Sequence, residues 1–144
     1  KKCIMKILLI FLVSSVSFIS AFFQTPTWKK EQLMSTTELS TKLKTNAKDK
    51  PLVFNVGPMQ NIKTAVAVGA ATNITFASKM KETLAMENKT KAIVVYCGCC
   101  SYSTCPNIKP AYDALVEMGY KNTKVLELPV GLNPDWISKG FPME

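Results

Sequence analysis

The chain has 144 residues, 47% of them apolar, and a net charge of +8 in which every formal positive charge is a lysine, because it contains neither arginine nor histidine. That length suits one domain with a single core and is short for two, and the missing histidine excludes Cys-His nucleophile pairs and C-x-x-C-H haem attachment. The 18 lysines are scattered, whereas nucleic-acid binding calls for clustered basic residues interleaved with aromatics, so no nucleic-acid partner is expected.

Lys1, Lys2 and Lys6 precede an apolar run, Ile7 to Phe23, broken only by serines, and Gln24-Thr25-Pro26-Thr27 follow. A basic region, an apolar region and then polar sequence read as an export signal. Residues 1–23 are therefore assigned as a signal peptide or an uncleaved anchor, residues 24–32 as a linker, and residues 33–144 as the folded domain. The run is somewhat shorter than the roughly 20 residues of a membrane span, and membrane contact is expected only if it is retained. Ala21 is a candidate cleavage position, although Ile19 is a poor small-residue match. Cys3 lies in the basic region and would leave with the leader, as would three lysines, which takes +8 to +5. The expected location is periplasmic or secreted.

Ser35 or Thr36 with Glu38 resembles a capped helix start, and Leu39 and Leu43 give an apolar i, i+4 face, so a helix is predicted near residues 36–45. Pro51 to Val56 reads as a short buried strand closed by Gly57-Pro58. The Ala/Val/Gly stretch from Thr64 to Thr75 is hard to type by period, and a short strand is placed around Thr72 to Ile74. A helix over Lys79 to Asn88 carries Met80, Leu84 and Ala85 on one face. Lys91 to Cys97 is the clearest strand. Pro106 suits a first helical turn, Ile108, Tyr112, Leu115 and Val116 repeat at helical spacing, and Gly119-Tyr120 supply a stop with an apolar contact. Val125 to Leu128 is a further strand, followed by a short turn or helix at Asp135-Trp136-Ile137 and a close at Gly140-Phe141-Pro142. Alternating strands and helices imply a mostly parallel α/β sheet, whose ligand sites gather at the carboxyl ends of the strands.

Cys97-Gly98-Cys99-Cys100-Ser101-Tyr102-Ser103-Thr104-Cys105 holds four of the five cysteines on one strand-to-helix loop. A thiol at a strand's end facing a helix N-terminus meets unpaired N–H groups and the positive end of the helix dipole, both of which favour thiolate. Gly98 lets the backbone turn so that its amides cradle an anion, and Cys97 is expected to stand open to small molecules. Outside the cytoplasm, four close cysteines are by default a disulfide set with three full pairings. A Cys99–Cys100 bond would be strained, and pairing through Cys105 is easier.

The order of these elements, with the strand ending Tyr96-Cys97, the helix ending Met118-Gly119-Tyr120 and the tail Trp136 with Gly140-Phe141-Pro142, resembles a single rhodanese domain from about Leu33 to Glu144. The resemblance implies a three-layer α/β/α fold with a mostly parallel central sheet. It also implies a sulfurtransferase, in which a loop cysteine takes sulfane sulfur from a small donor as a persulfide and passes it to a thiophilic acceptor such as cyanide or a thiol. Cys97 matches the catalytic position, and the amides of Gly98, Cys99, Cys100, Ser101, Tyr102 and Ser103 would hold the persulfide. Asn55-Val56-Gly57 stands where the family usually has Asp-Val-Arg, the usual histidine is missing, and the loop is longer by several residues.

Cys99, Cys100 and Cys105 are alternative or resolving cysteines, able to gate Cys97 by forming disulfides. Two other readings stay open: a non-catalytic fold with a disulfide-stapled loop used as a binding module, and a thiolate metal site for zinc, Cu(I) or iron–sulfur at Cys97, Cys99, Cys100 and Cys105. The spacing C-x-C-C-x4-C lacks paired C-x2-C knuckles, so no metal or other cofactor is favoured, and the sequence names no protein partner. Tyr96, Trp28 and Trp136 read as packing residues, and Tyr102 as lining or covering the loop. Asp113 and Glu117 form a solvated helix face, and Asn73-Ile74-Thr75 and Asn88-Lys89-Thr90 match the glycosylation pattern.

Overall fold

Continuous β-branched sequence makes a strand that is apolar on both faces, and such a strand belongs in the middle of a covered parallel sheet. A computed structural model, which describes residues 27–45 and 49–144, places the Ile93–Tyr96 run there. The leader assigned to residues 1–23 and the beginning of the linker lie outside the described residues. Strands β1 (Leu33–Met34), β2 (Leu52–Asn55), β3 (Ala65–Ala67), β4 (Ile93–Tyr96) and β5 (Thr123–Leu126) form one sheet in the order β1-β5-β4-β2-β3. Every neighbouring pair is parallel. The helices are α1 (Thr36–Lys44), α2 (Phe76–Leu84), α3 (Ile108–Glu117) and α4 (Leu132–Asp135), with 3-10 turns at Lys30–Gln32 and Ile137–Lys139.

Alternation along the strands sorts side chains into two cores. Ile93, Val95 and Cys97 pack with Phe54, Met80, Ile108 and Leu115 on the α2 and α3 side. Val94 and Tyr96 pack with Val53, Leu39, Leu43 and Trp136 on the α1 and α4 side. The result is the three-layer α/β/α arrangement. Among the described residues no helix is long and apolar enough to cross a membrane.

Local chemistry sets the ends of these elements. The Ser35 hydroxyl accepts the Glu38 N–H at 3.1 Å, capping α1. Gly119, with φ of 92°, turns the chain after α3, and Tyr120 then lies buried with its hydroxyl donating to the Leu84 carbonyl at 3.1 Å. The C-terminal tail closes on Trp136, whose indole N–H donates to the Pro142 carbonyl at 3.1 Å while Phe141 meets the ring edge-on at 5.1 Å.

Two expectations are corrected. Thr72 to Ile74 is not a strand: Asn73 Oδ1 accepts both the Thr75 N–H and hydroxyl at 3.0 Å, an Asx turn that leads into α2. The edge strand is Ala65–Ala67 instead. The helix placed over Lys79 to Asn88 begins at Phe76 and ends at Leu84, so Met80 and Leu84 are buried and Ala85 is exposed. In the segment read as linker, Trp28 packs edge-on against Tyr112 of α3 at 5.2 Å.

Tyr96 is fully buried; its hydroxyl accepts the Ile62 N–H at 2.9 Å and donates to the Gln60 carbonyl at 3.1 Å. Burial, the largest influence, raises its pKa to about 12. Tyr96→Phe removes one partner from each bond, so urea unfolding is expected to show a loss of about 1–3 kcal/mol with an unchanged denaturant slope.

Candidate functional site

In an all-parallel sheet the carboxyl ends of all strands share one edge, and three of them build this site. Cys97 directly follows β4, the central strand. The loop after β2 brings Gly57 so close that a Cβ there would sit 2.4 Å from the Cys97 carbonyl oxygen and 2.5 Å from its sulfur. Asn55 fixes that loop: its Oδ1 accepts the Gly57 N–H at 2.9 Å, and its Nδ2 donates to the Met59 carbonyl at 2.7 Å and to Asn61 Oδ1 at 3.1 Å.

The loop after β5 latches the cysteine loop at two points. The Leu132 N–H donates to the Gly98 carbonyl at 2.8 Å, and the Tyr102 N–H donates to the Leu128 carbonyl at 3.0 Å. Between those points the Asp135 carboxylate accepts the Val130 and Gly131 N–H groups at 2.7 and 2.9 Å. Gly98 has φ of 78°, and a Cβ there would lie 2.8 Å from Leu132 Cβ, so both conformation and space require glycine. Beyond the latch the chain curls back: the Ser101 carbonyl accepts the Thr104 and Cys105 N–H groups at 3.1 and 3.0 Å, which returns Cys105 to the vicinity of Cys97.

Cys97, Cys99, Cys100 and Cys105 are all free thiols, so the disulfide set expected by default is not formed. The Cys97 and Cys99 sulfurs are 3.2 Å apart and those of Cys99 and Cys100 are 3.5 Å apart, each well beyond the roughly 2.05 Å of a bond. The sulfurs of Cys97, Cys99 and Cys105 lie within 4.8 Å of one another, and Asn107 Nδ2 donates to the Cys97 sulfur at 3.7 Å.

These neighbours push Cys97 down to about 5 from the ordinary 9.0. The Cys105 thiol contributes most, burial opposes it, and the Cys99 thiol, the Cys99 N–H and the Asn107 amide add to it. The donors shift the other way. Cys99 rises to about 12, first through loss of water at its sulfur, although the residue as a whole is exposed, and then through its bond to Cys97. Cys105 is raised because it donates to Cys97 and because it is buried. Of the three, Cys97 is the cysteine whose ionised form these contacts favour.

Two features of the predicted site differ. Cys97 has 0% exposed surface rather than standing open, because Gly57 leaves no space on one side and Cys99 sits in contact with its sulfur. The amide cradle from Gly98 to Ser103 contributes the Cys99 N–H to Cys97; the Tyr102 N–H is committed to Leu128 and the Ser103 N–H to the Ser101 hydroxyl at 3.4 Å. At the start of α3 the Asn107 N–H is bonded to Cys105, while the Asn107 side chain serves Cys97. Gly57 and Asn107 are site residues that sequence reasoning does not pick out. Their only signals are a glycine closing a strand and an asparagine immediately before a helix.

The fold is rhodanese-like. The chain matches no family model and no curated protein. Among solved structures it is similar to the BH2092 protein of Bacillus halodurans, at 18% identity over 79% of this chain and 77% of that one, with a TM-score of 0.59. A variant of EanB in complex with ergothioneine matches at 20% identity over 79% of this chain but 28% of its own, with a TM-score of 0.58. The single-domain sulfurtransferase RDL2 of Saccharomyces cerevisiae matches at 16% identity over 80% of this chain and 95% of its own, with a TM-score of 0.51. At such identities the likeness establishes the fold.

Gly57→Ala is expected to destabilise the fold by about 1–3 kcal/mol through overpacking and to displace the Cys97 sulfur, measured by thermal unfolding and by the rate of thiol alkylation. The thiol shifts also set a pH profile. Between about 5 and 9 the unfolded chain carries a proton on Cys97 that the folded chain does not, so stability rises with pH. Above 9 the unfolded chain gives up the Cys99 and Cys105 protons first, so stability falls. The Tm difference between the parent and Cys97→Ser is expected to peak near pH 9, read by calorimetry across that range.

Proposed function

We propose that the protein carries and transfers sulfane sulfur at its cysteine loop, with Cys97 as the persulfide-bearing sulfur. The observation that carries this reading is a buried cysteine sulfur, contacted by the Cys99 sulfur at 3.2 Å and the Asn107 amide at 3.7 Å, at the end of the central strand of a rhodanese-like fold. A thiolate among donors is both the better nucleophile toward a sulfane sulfur and the better leaving group when the sulfur moves on.

With thiosulfate as donor, the Cys97 thiolate attacks the outer sulfur, and sulfite leaves with the electron pair of the broken S–S bond. Cys97 then carries S–S⁻. Cyanide or a thiolate attacks the terminal sulfur, and the Cys97 thiolate departs. Because Cys97 is covered, Cys99 is the gate: it is exposed, touches the Cys97 sulfur at 3.2 Å, and moves by rotation about its side-chain bond. The same contact supports redox control. A two-electron oxidant such as peroxide would close a Cys97–Cys99 disulfide and stop transfer, and a thiol reductant would restore it. The basic and then apolar sequence of residues 1–23 supports an exported protein, which fractionation of cells carrying the tagged full chain tests directly.

Purified protein given thiosulfate and cyanide is expected to form thiocyanate and to show one persulfide per chain on Cys97 by mass spectrometry. Cys97→Ser is expected to fall to the uncatalysed background; full activity in that variant would remove Cys97 from the mechanism. Asn107 acts as a positioning residue. Since a hydrogen bond to a charged group contributes about 1.5–3 kcal/mol and one pKa unit corresponds to about 1.4 kcal/mol, Asn107→Ala is expected to shift the acid limb of the pH–rate profile upward by about one to two units.

A further inference from the structure

Sulfur transfer through Cys97, gated by Cys99, leaves Cys105 without a chemical role beyond donating a hydrogen bond. A serine or a backbone amide would donate equally well. Instead the loop spends two hydrogen bonds at the Ser101 carbonyl to return a third sulfur, 2% exposed, to the first two. Three sulfurs within 4.8 Å of one another, two buried and one exposed, form a concave set of soft donors.

We propose that Cys97, Cys99 and Cys105 bind one Cu(I) ion as a three-coordinate thiolate site. Thiolates select soft ions such as Cu(I), whereas structural zinc takes four tetrahedral ligands. Cys100 lies outside the mutually close trio although its sulfur is 3.5 Å from that of Cys99, and the chain has no histidine to complete a tetrahedron. An ion about 2.3 Å from three sulfurs in one plane sets them roughly 4 Å apart, a spacing this cluster reaches with small side-chain movements. The exposed Cys99 provides the way in, and the buried pair keeps water from the far side. Asn107 Nδ2 lies 3.7 Å from the Cys97 sulfur and remains available to offset the added negative charge. Binding releases the thiol protons of Cys99 and Cys105 to solvent, and the copper stays Cu(I) throughout.

The test uses the reduced full chain in a Cys3→Ser background under anaerobic conditions, titrated with Cu(I) against a chromogenic Cu(I) chelator. One ion per chain is expected, with three sulfur neighbours by X-ray absorption. Cys99→Ser, which alters an exposed residue and leaves the core intact, is expected to weaken binding at least about tenfold, as changes around metal ligands generally do, while Cys100→Ser stays close to the parent. Circular dichroism confirms that both variants fold. Failure to hold copper against the chelator would overturn the proposal, as would equal losses in the two variants or a four-sulfur zinc complex of comparable affinity. None of these readouts depends on thiocyanate formation, so the copper site and the sulfur-transfer reading stand or fall separately.

Discussion

A negative charge on Cys97 is tolerable only because other groups give up hydrogen bonds to it. Water does not reach this sulfur, and the chain offers no arginine or histidine to neutralise it. Two thiols, one backbone amide and one carboxamide take the place of solvent. The same closeness forbids a second charge, since two unit charges 4 Å apart repel by about 4 kcal/mol at the effective dielectric of a protein surface. The contacts therefore favour ionisation at Cys97 and protonation at Cys99 and Cys105, which donate to it.

Holding four such groups around one atom requires chain segments that are distant in sequence to agree in space. The parallel sheet supplies this by delivering the ends of β2, β4 and β5 to one edge. From β2 comes Gly57, whose missing side chain leaves room for the sulfur. From β5 comes the Leu128–Leu132 segment, held rigid by Asp135 and bonded to both Gly98 and Tyr102. A loop of this length would otherwise sample many conformations; two backbone hydrogen bonds pin it, and the Cys99 side chain over Cys97 is exposed. Small molecules would reach the buried Cys97 sulfur only if the exposed Cys99 side chain turned aside.

What could be read in advance depended on whether the controlling interactions were local. The Ser35 cap, the Gly119-Tyr120 stop and the Ile93–Tyr96 run all signal within a few residues, and each stands where the pattern puts it. The Trp136 and Gly140-Phe141-Pro142 tail also carries its reason locally, in one indole hydrogen bond and one ring contact. β3 did not signal, because Ala65-Val66-Ala67 has neither bulk nor alternation and is a strand only by pairing with β2. Cys97 at a strand end was readable, but its burial was not, since Gly57 closes over it from forty positions earlier in the chain. Asn107 and Asn55 were hidden for the same reason: an asparagine beside a turn gives no hint of which distant atom its amide will meet.

The loop surrounds the Cys97 sulfur differently from the sequence expectation. In the arrangement expected from the sequence, a ring of loop amides and the first turn of α3 would face the reactive sulfur. Here the Tyr102 and Ser103 amides are consumed in holding the loop's own shape, and the Asn107 amide turns to Cys105. Side chains take over the role, and two of them are themselves thiols. A sulfur transferred to Cys97 would therefore sit next to groups that can exchange with it, and a soft cation entering the trio would take the thiolate and both thiols at once. The proposed sulfur transfer and the proposed copper binding would thus draw on the same reduced cysteines and exclude one another, since either occupant of the cluster would withdraw the Cys97 sulfur from the other.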